Sequence, residues 1–395
     1  MLVVGVGLRI GYLAANGVYP TPAEPSREAN SQQDSQQQPK RPDRIAVFDQ
    51  SPGQGTPHTY GGTVLYDACE ILPLEALPKL GLAITPELVV IHQYFDGDVP
   101  APAIVKQDAL ARSSSCTYGV PNGARVSVDM YQPPFSDDRQ MEANRPDPED
   151  GPISTDRKFD VITYRDDRVE QWVTTISRPH LIVEAQVHDP TGDISGWDGR
   201  AIAEALRGPL VSRTLAGPAP HRLPSYNSGY EGAKNPCDAF PPSALEAAFH
   251  KPAAPHAVAV FQVGDSIMYE FDGSVAFRID ASCTRHSLVD EGRLAPDYVE
   301  SKLGTSYWQD ERGAETRQQA ECRDTVLGIK PIPVSLRIGD GPVCIKEVGK
   351  KAYTLHFKVG RTTATLSARG GVDDPQQETQ RLAPMAEQIA ESLRS

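Results

Sequence analysis

Ser266 stands where a serine nucleophile could act, directly after the apolar run 257–263 and the pair Gly264-Asp265. A serine hydroxyl is a weak nucleophile until a neighbouring base takes its proton, so a hydrolase also needs a histidine held by a carboxylate. No Asp-x-x-His sequence follows Ser266 to supply that pair. We therefore predict a turn that ends a strand. A serine hydrolase with Ser266 as its nucleophile stays as the alternative hypothesis.

His180, Glu184 and His188 have the residue types of a metal site and fall on one predicted strand. Alternate residues of a strand point to the same side, so the three share one face. At about 3.3 Å per residue, His180 and His188 lie roughly 26 Å apart, too far to bind one ion. We predict a solvent-exposed strand face here and no metal site. No other pattern predicts a cofactor.

The six cysteines form an even set, and no two of them make a C-x-x-C pair. Short zinc-binding spacings are therefore missing, and widely spaced cysteines are typical of disulfides in an oxidising compartment. Two spacings repeat: Cys69 to Cys116 is 47 residues, and Cys237 to Cys283 is 46. Many pairings of six cysteines are possible, and the repeat alone selects one set. The predicted disulfides are Cys69–Cys116, Cys237–Cys283 and Cys322–Cys344.

Each repeated cysteine spacing lies inside a repeated order of elements. Both copies begin with a helix around the first cysteine, continue with several strands and end with an amphipathic helix, at 198–210 in one copy and 377–393 in the other. Runs of strands between helices predict an α+β sandwich with an antiparallel sheet. We place the first domain at 59–217, a Gly/Pro/Ser/Tyr linker at 218–234 and the second domain at 235–395.

The N-terminal region has a different composition from the rest of the chain. Residues 2–19 are apolar, and as a helix they would span about 27 Å, just enough to cross a bilayer core. Arg9 near the middle disfavours insertion, by about 2.5 to 3.5 kcal/mol. Residues 20–58 are rich in Gln, Ser and Pro and cannot bury enough surface to fold. We predict a membrane anchor or signal segment at 1–19, with a frayed or buried N-terminal segment as the alternative, followed by a disordered tether at 20–58.

Charge and aromatic residues bear on the choice of partner. The formal net charge is −13, with no long run of Lys or Arg, which argues against nucleic acid as a partner. Three aromatic residues near the linker, Trp197, Tyr226 and Tyr230, are predicted to be exposed and to line a cleft between the domains, where ligand sites often lie. A packing role for Trp197 at a helix start is the alternative.

The turn and cysteine motifs resemble those of a family of actinobacterial envelope lipoproteins and anchored proteins built on a domain of unknown function. Asn235-Pro236-Cys237 and Pro241-Pro242-Ser243 match the start of that domain, and Cys116-Thr117-Tyr118 is similar to its second cysteine element. The first copy departs from the motif, with Asp67-Ala68-Cys69 lacking the proline. The family is similar to the extracellular sensor domains of mycobacterial receptor kinases, which share a PsbP-like sandwich.

This resemblance implies an exported location and a role in binding a small ligand or a partner protein, and it provides no catalytic residues. From the sequence we therefore expect two tandem PsbP-like domains, each pinned by disulfides, on the outer side of the cell membrane or secreted. The expected role is binding, sensing or scaffolding at the envelope without catalysis. Its partner would be a small ligand or an envelope protein, or a protein that it blocks.

Overall fold

An antiparallel sheet organises the part of the chain that the computed structural model describes. Within that part fifteen strands belong to one sheet, and two further pairs of short strands stand apart. The predicted α+β class, with a mainly antiparallel sheet and few helices, is confirmed. The described residues are 48–60, 62–82, 88–95, 112–119, 124–133, 141–142, 145, 147, 149–188, 198–226, 229–262, 266–269, 275–288, 296–323, 329–349, 352–370 and 372–395.

The helices begin and end where the local sequence requires. Asp67, Asp198 and Asp374 each cap a helix by accepting a backbone N–H in its first turn, the usual role of a short polar residue at that position. Within the described residues the helices are α1 (Ala68–Ile71), a 3-10 helix (Leu74–Leu80), α2 (Gly199–Ala216), α3 (Pro236–Ala239), α4 (Pro242–Phe249), α5 (Glu311–Arg323) and α6 (Pro375–Arg394).

The strands fall into two groups that follow the two sequence copies. The first group is β1 (Phe48–Ser51), β2 (Thr59–Tyr60), β3 (Thr63–Val64), β4 (Val89–Phe95), β5 (Ser114–Gly119), β6 (Arg125–Tyr131), β7 (Ser154–Asp156), β8 (Phe159–Asp166), β9 (Gln171–Arg178), β10 (Leu181–His188) and β11 (Leu223–Tyr226). The second group is β12 (His256–Gln262), β13 (Ser266–Tyr269), β14 (Val275–His286), β15 (Glu300–Trp308), β16 (Ile332–Pro333), β17 (Cys344–Gly349), β18 (Ala352–Val359) and β19 (Thr362–Ala368).

The two copies have the same strand order and meet edge to edge. From the middle of the sheet outwards the first copy reads β4-β5-β6-β10-β9-β8-β7, and the second reads β12-β14-β15-β19-β18-β17-β16. β4 and β12 pair antiparallel in the middle and join the two halves into one sheet. Because the order is the same on both sides of an antiparallel pair, an approximate twofold axis runs through this contact, which we call the seam.

The register fixes where the axis passes. His92 of β4 pairs with Ala259 of β12. In their own halves, His92 pairs with Cys116 and Ala259 pairs with Cys283. His92 and Ala259 are therefore equivalent positions of the two copies, and the axis passes between them.

Most helices cover one side of the sheet, which we call the helical face. Directly paired residues of neighbouring strands point to the same face of the sheet. One such set of paired residues runs across the sheet on the helical face and includes Cys116, Cys283 and Thr174. The two cysteines bind α1 and α3, and the Thr174 hydroxyl donates to the Ala203 carbonyl of α2 at 2.6 Å. α4 and α6 pack together beside α3. α5 lies on the opposite face.

The disulfides join the three pairs that the spacing predicted. Cys69–Cys116 ties α1 to β5, Cys237–Cys283 ties α3 to β14, and Cys322–Cys344 ties α5 to β17. Both of the repeated disulfides close a loop whose entropy contributes about 4 kcal/mol to stability. All six cysteines are buried.

Two strands lie in segments where the sequence predicted no structure. β1 falls inside the predicted tether at 20–58, β11 falls inside the predicted linker at 218–234, and the two pair antiparallel. Burial of Phe48 accounts for the pairing of β1 with β11. Its ring packs against those of Tyr226 and Phe261 at centroid distances of 5.2 and 5.4 Å. Every described residue belongs to one compact unit.

Among the described residues, no helix has both the length and the apolar character needed to cross a bilayer. The predicted anchor at 1–19 and residues 20–47 of the predicted tether lie outside the described residues.

Candidate functional site

A buried cluster of one carboxylate and two imidazoles lies beside the seam on the helical face. Asp67 comes from the start of α1, His92 from β4, and His221 from the segment that enters β11. One ligating atom of each residue lies within 4.8 Å of those of the other two. The Asp67 side chain is fully buried, His92 is 5% exposed and His221 is 12% exposed.

Asp67 is held by the backbone that it caps. Its Oδ1 accepts the N–H of Cys69 at 3.0 Å, and its Oδ2 accepts the N–H of Arg222 at 3.1 Å. The same two oxygens face the imidazoles, with His92 Nε2 2.8 Å from Oδ1 and His221 Nδ1 3.3 Å from Oδ2. The carboxylate thus connects three segments that are distant in sequence.

The ring of His221 is oriented by a second contact. Its Nε2 lies 2.9 Å from the Phe95 carbonyl oxygen. A carbonyl only accepts hydrogen bonds, so Nε2 carries the proton and Nδ1 is directed at the carboxylate. The ring of His58, which is half-buried, stacks on His221 with centroids 4.4 Å apart. Of the three clustered residues, His221 has the most exposed side chain.

The carboxyl of Asp67 is ionised in this setting. Burial raises its pKa, but the charges of His92 and His221 and their hydrogen bonds outweigh burial and hold that pKa well below its ordinary value. A buried carboxylate is stable only when its oxygens are paired or hydrogen-bonded, and here both oxygens meet that condition.

A buried arginine fixes the segment that carries His221. The guanidinium of Arg222 binds both carboxylate oxygens of Glu75, at 2.8 and 3.0 Å, and its Nε lies 3.1 Å from Glu70. It also donates to the Gln50 carbonyl. Burial raises the pKa of Glu70 although Arg222 opposes this. The loop before β11 is therefore anchored to α1 and the 3-10 helix.

The second copy builds the same local structure without this chemistry. Asn235 stands at the position of Asp67 and caps α3 through a hydrogen bond of 2.9 Å to the Cys237 N–H. Ala259 stands at the position of His92. The helix cap thus needs only a short side chain with an oxygen that accepts a hydrogen bond. The strand position shared by His92 and Ala259 needs only a small residue. The Asp67 charge and the His92 ring are additions to the fold.

The copies also share a helix clamp two residues after the second cysteine. In the first copy Tyr118 donates to the Leu72 carbonyl at 2.6 Å. In the second copy Arg285 donates to the matching carbonyl of Phe240 and, at 3.1 Å, to Cys237. Both side chains are buried. Tyrosine and arginine therefore perform the same structural task in the two halves.

A second histidine pair lies on the opposite face of the seam. His256 of β12 and His286 of β14 are buried, and a nitrogen of each lies 3.4 Å from the other. Burial lowers the pKa of both imidazoles, with Arg285 contributing in the same direction. Because the two rings are kept neutral, this pair is a packed and hydrogen-bonded part of the core.

The residues predicted to line a ligand cleft are not together on an open surface. Tyr226 is buried, with its hydroxyl donating to the Gln262 carbonyl at 2.8 Å, and Tyr230 is completely buried. Both belong to the hydrophobic core, so their predicted exposure is wrong. Both lie within the predicted linker at 218–234, which packs into the fold. Trp197 lies outside the described residues.

The other residues considered as metal ligands or as a nucleophile lie in or beside strands β10 and β13. Glu184 and His188 lie on one face of β10, as predicted, whereas His180 occupies the preceding turn with φ of 64°. Ser266 opens β13 and pairs with Arg278 of β14.

Sequence reasoning missed Asp67, His92 and His221 as a group, because no short motif contains them. The one available signal is the comparison of the copies, in which Asp67 replaces an asparagine at a shared helix cap. Compared with protein-family models, curated proteins and solved structures, the chain shows no significant match.

Proposed function

We propose that this chain is an exported protein of the cell envelope that binds a ligand or partner and does not catalyse a reaction. The observation that carries the proposal is the set of three buried disulfides, each joining a helix to a strand. Such bonds form and persist in oxidising compartments and are rare in the cytosol. The predicted apolar segment and polar tether before the first cysteine agree with an anchored layout.

The proposal includes the resemblance to the anchored actinobacterial envelope proteins and their PsbP-like sandwich. The repeated strand order and the repeated helix clamp support an origin as two copies of one domain. Two equivalent halves joined through a seam support a binding, sensing or scaffolding role.

Thiol counting on native, non-reduced protein tests the proposal. The full chain is produced in a bacterium, separated into cytosolic, membrane and secreted fractions, and treated with a maleimide before intact-mass measurement. We expect the protein in the membrane or secreted fraction with no thiol labelled until it is reduced. Six reactive thiols in folded cytosolic protein would contradict export.

The serine hydrolase alternative needs a separate test. Wild-type protein and the Ser266→Ala variant are assayed against a panel of ester substrates under the same conditions. We expect no hydrolysis above background from either protein. Hydrolysis by the wild type that is lost in Ser266→Ala would replace the binding role with catalysis.

A further inference from the structure

We propose that Asp67, His92 and His221 bind one divalent transition-metal ion, with Zn²⁺ as the best fit. Carboxylate oxygen and imidazole nitrogen are ligands that zinc takes in proteins, at about 2.0 to 2.2 Å. Two such ligands on a tetrahedral ion are about 3.3 Å apart, a spacing that follows from those bond lengths. His92 Nε2 lies 2.8 Å from Asp67 Oδ1, and His221 Nδ1 lies 3.3 Å from Asp67 Oδ2. One ligating atom of each residue lies within 4.8 Å of those of the other two, so modest side-chain shifts would admit the ion.

The hydrogen bonds around the cluster already orient its donor atoms. His221 gives its Nε2 proton to the Phe95 carbonyl at 2.9 Å, the arrangement that commonly fixes a metal-binding imidazole. Its Nδ1 faces Asp67 Oδ2, 3.3 Å away. Two electron-rich atoms face each other favourably only with a proton or a metal ion between them. The Cys69 N–H fixes the carboxylate in the same way.

The neighbouring cysteines do not compete for the ion. Cys69 lies two residues after Asp67, and Cys116 pairs directly with His92 in the sheet. The two cysteines are bonded to each other. A disulfide sulfur lacks the negative charge that makes a thiolate a strong zinc ligand. The donor set is therefore the Asp67 carboxylate and two imidazole nitrogens.

The second copy provides matched variants. Asp67→Asn and His92→Ala install the residues that α3 and β12 carry at the equivalent positions, Asn235 and Ala259. Both variants keep the helix cap and fit the strand while removing a metal ligand. His221→Ala removes the third ligand. His180→Asn is the control, because His180 lies in an exposed turn with positive φ that asparagine tolerates.

The experiment uses the full chain with its disulfides intact. The protein is freed of metal with a chelator, and Zn²⁺ is added in a calorimetric titration while Co²⁺ binding is followed by its visible absorption. We expect one ion per chain for the wild type and His180→Asn. Each ligand variant should lose affinity by at least about 100-fold, with unchanged circular dichroism and no free thiols.

A purely structural ion network is the competing account. It predicts that the wild type takes up neither Zn²⁺ nor Co²⁺ at the site, or that the three ligand variants bind as the wild type does. Either result overturns the proposal. If one variant fails to fold, the metal stoichiometry of the wild type and the metal affinity of the other two variants still distinguish the two accounts. The outcome is independent of export, since thiol counting reports on the compartment whether or not metal binds.

Discussion

Lowering the pH should destabilise the protein through His356. This imidazole is buried between β18 and α5, with its Nδ1 4.0 Å from a Glu321 oxygen. Glu321 is itself bound by Lys346 and Arg317. Burial lowers the pKa of His356 and the Glu321 charge opposes it, with a net fall from 6.5 to about 4. The ring is therefore neutral in the folded protein at pH values where an unfolded chain would be protonated.

The sign and size follow from linkage between protonation and folding. When the folded pKa is depressed, the unfolded chain binds the proton first as the pH falls, so unfolding becomes easier. The contribution of His356 is complete above pH 6.5 and is lost as the pH falls towards about 4. Between pH 7.5 and 4.5 the loss is about 2.5 kcal/mol in the free energy of unfolding.

Urea unfolding of wild type and His356→Gln at both pH values isolates this contribution. Glutamine has a similar polar character but does not titrate, so other groups contribute equally to both proteins. We expect the difference in unfolding free energy between the two proteins to shift by about 2.5 kcal/mol in favour of the variant at pH 4.5. A shift smaller than about 0.5 kcal/mol would refute the reasoning.

Three further predictions test the packing. Replacing Cys237 and Cys283 by alanine should lower the unfolding free energy in urea by about 4 kcal/mol, and no change would mean that the bond is absent in solution. Tyr118→Phe should cost about 1 to 3 kcal/mol, because a buried carbonyl loses its donor; a neutral result would contradict the shared helix clamp. Gly339→Ala should cost about 3 kcal/mol or more, since its φ is +66° and a Cβ would lie 2.0 Å from a carbonyl oxygen. Gly341→Ala is the comparison, with φ of +107° but no atom within 4 Å, and equal losses would refute the predicted clash.

The features found from sequence are those with a local signal. Cysteine spacing repeats between the two copies, so two disulfides could be predicted from the repeat and the third from the pair that remained. Helix starts were similarly visible, because Asp198 caps α2 where the sequence predicted it. The end of α2 was predicted at 210 but lies at Ala216, since Val211 and Thr214 continue its buried face past Pro209.

The features that were missed depend on contacts between distant segments. Nothing in the sequence of β4 or β12 alone indicates that the two strands pair. Both are short strands with alternating apolar residues, and such a strand could pair with many different edge strands. The cluster of Asp67, His92 and His221 is assembled by that sheet together with the packed segment before β11. No short motif spans these three residues, so only the folded chain brings them together.

The seam also explains why the cluster occurs in one copy and not in both. Residues on a twofold axis meet their own equivalents, and directly paired residues of antiparallel strands have Cα atoms about 4.5 to 5.5 Å apart. Histidine at both His92 and Ala259 would place two imidazoles on the same face at that separation. Each ring would block the other from reaching its own helix cap. A small residue at 259 leaves space for His92 to reach Asp67, so the geometry of the seam admits one such cluster per chain and predicts one bound ion rather than two.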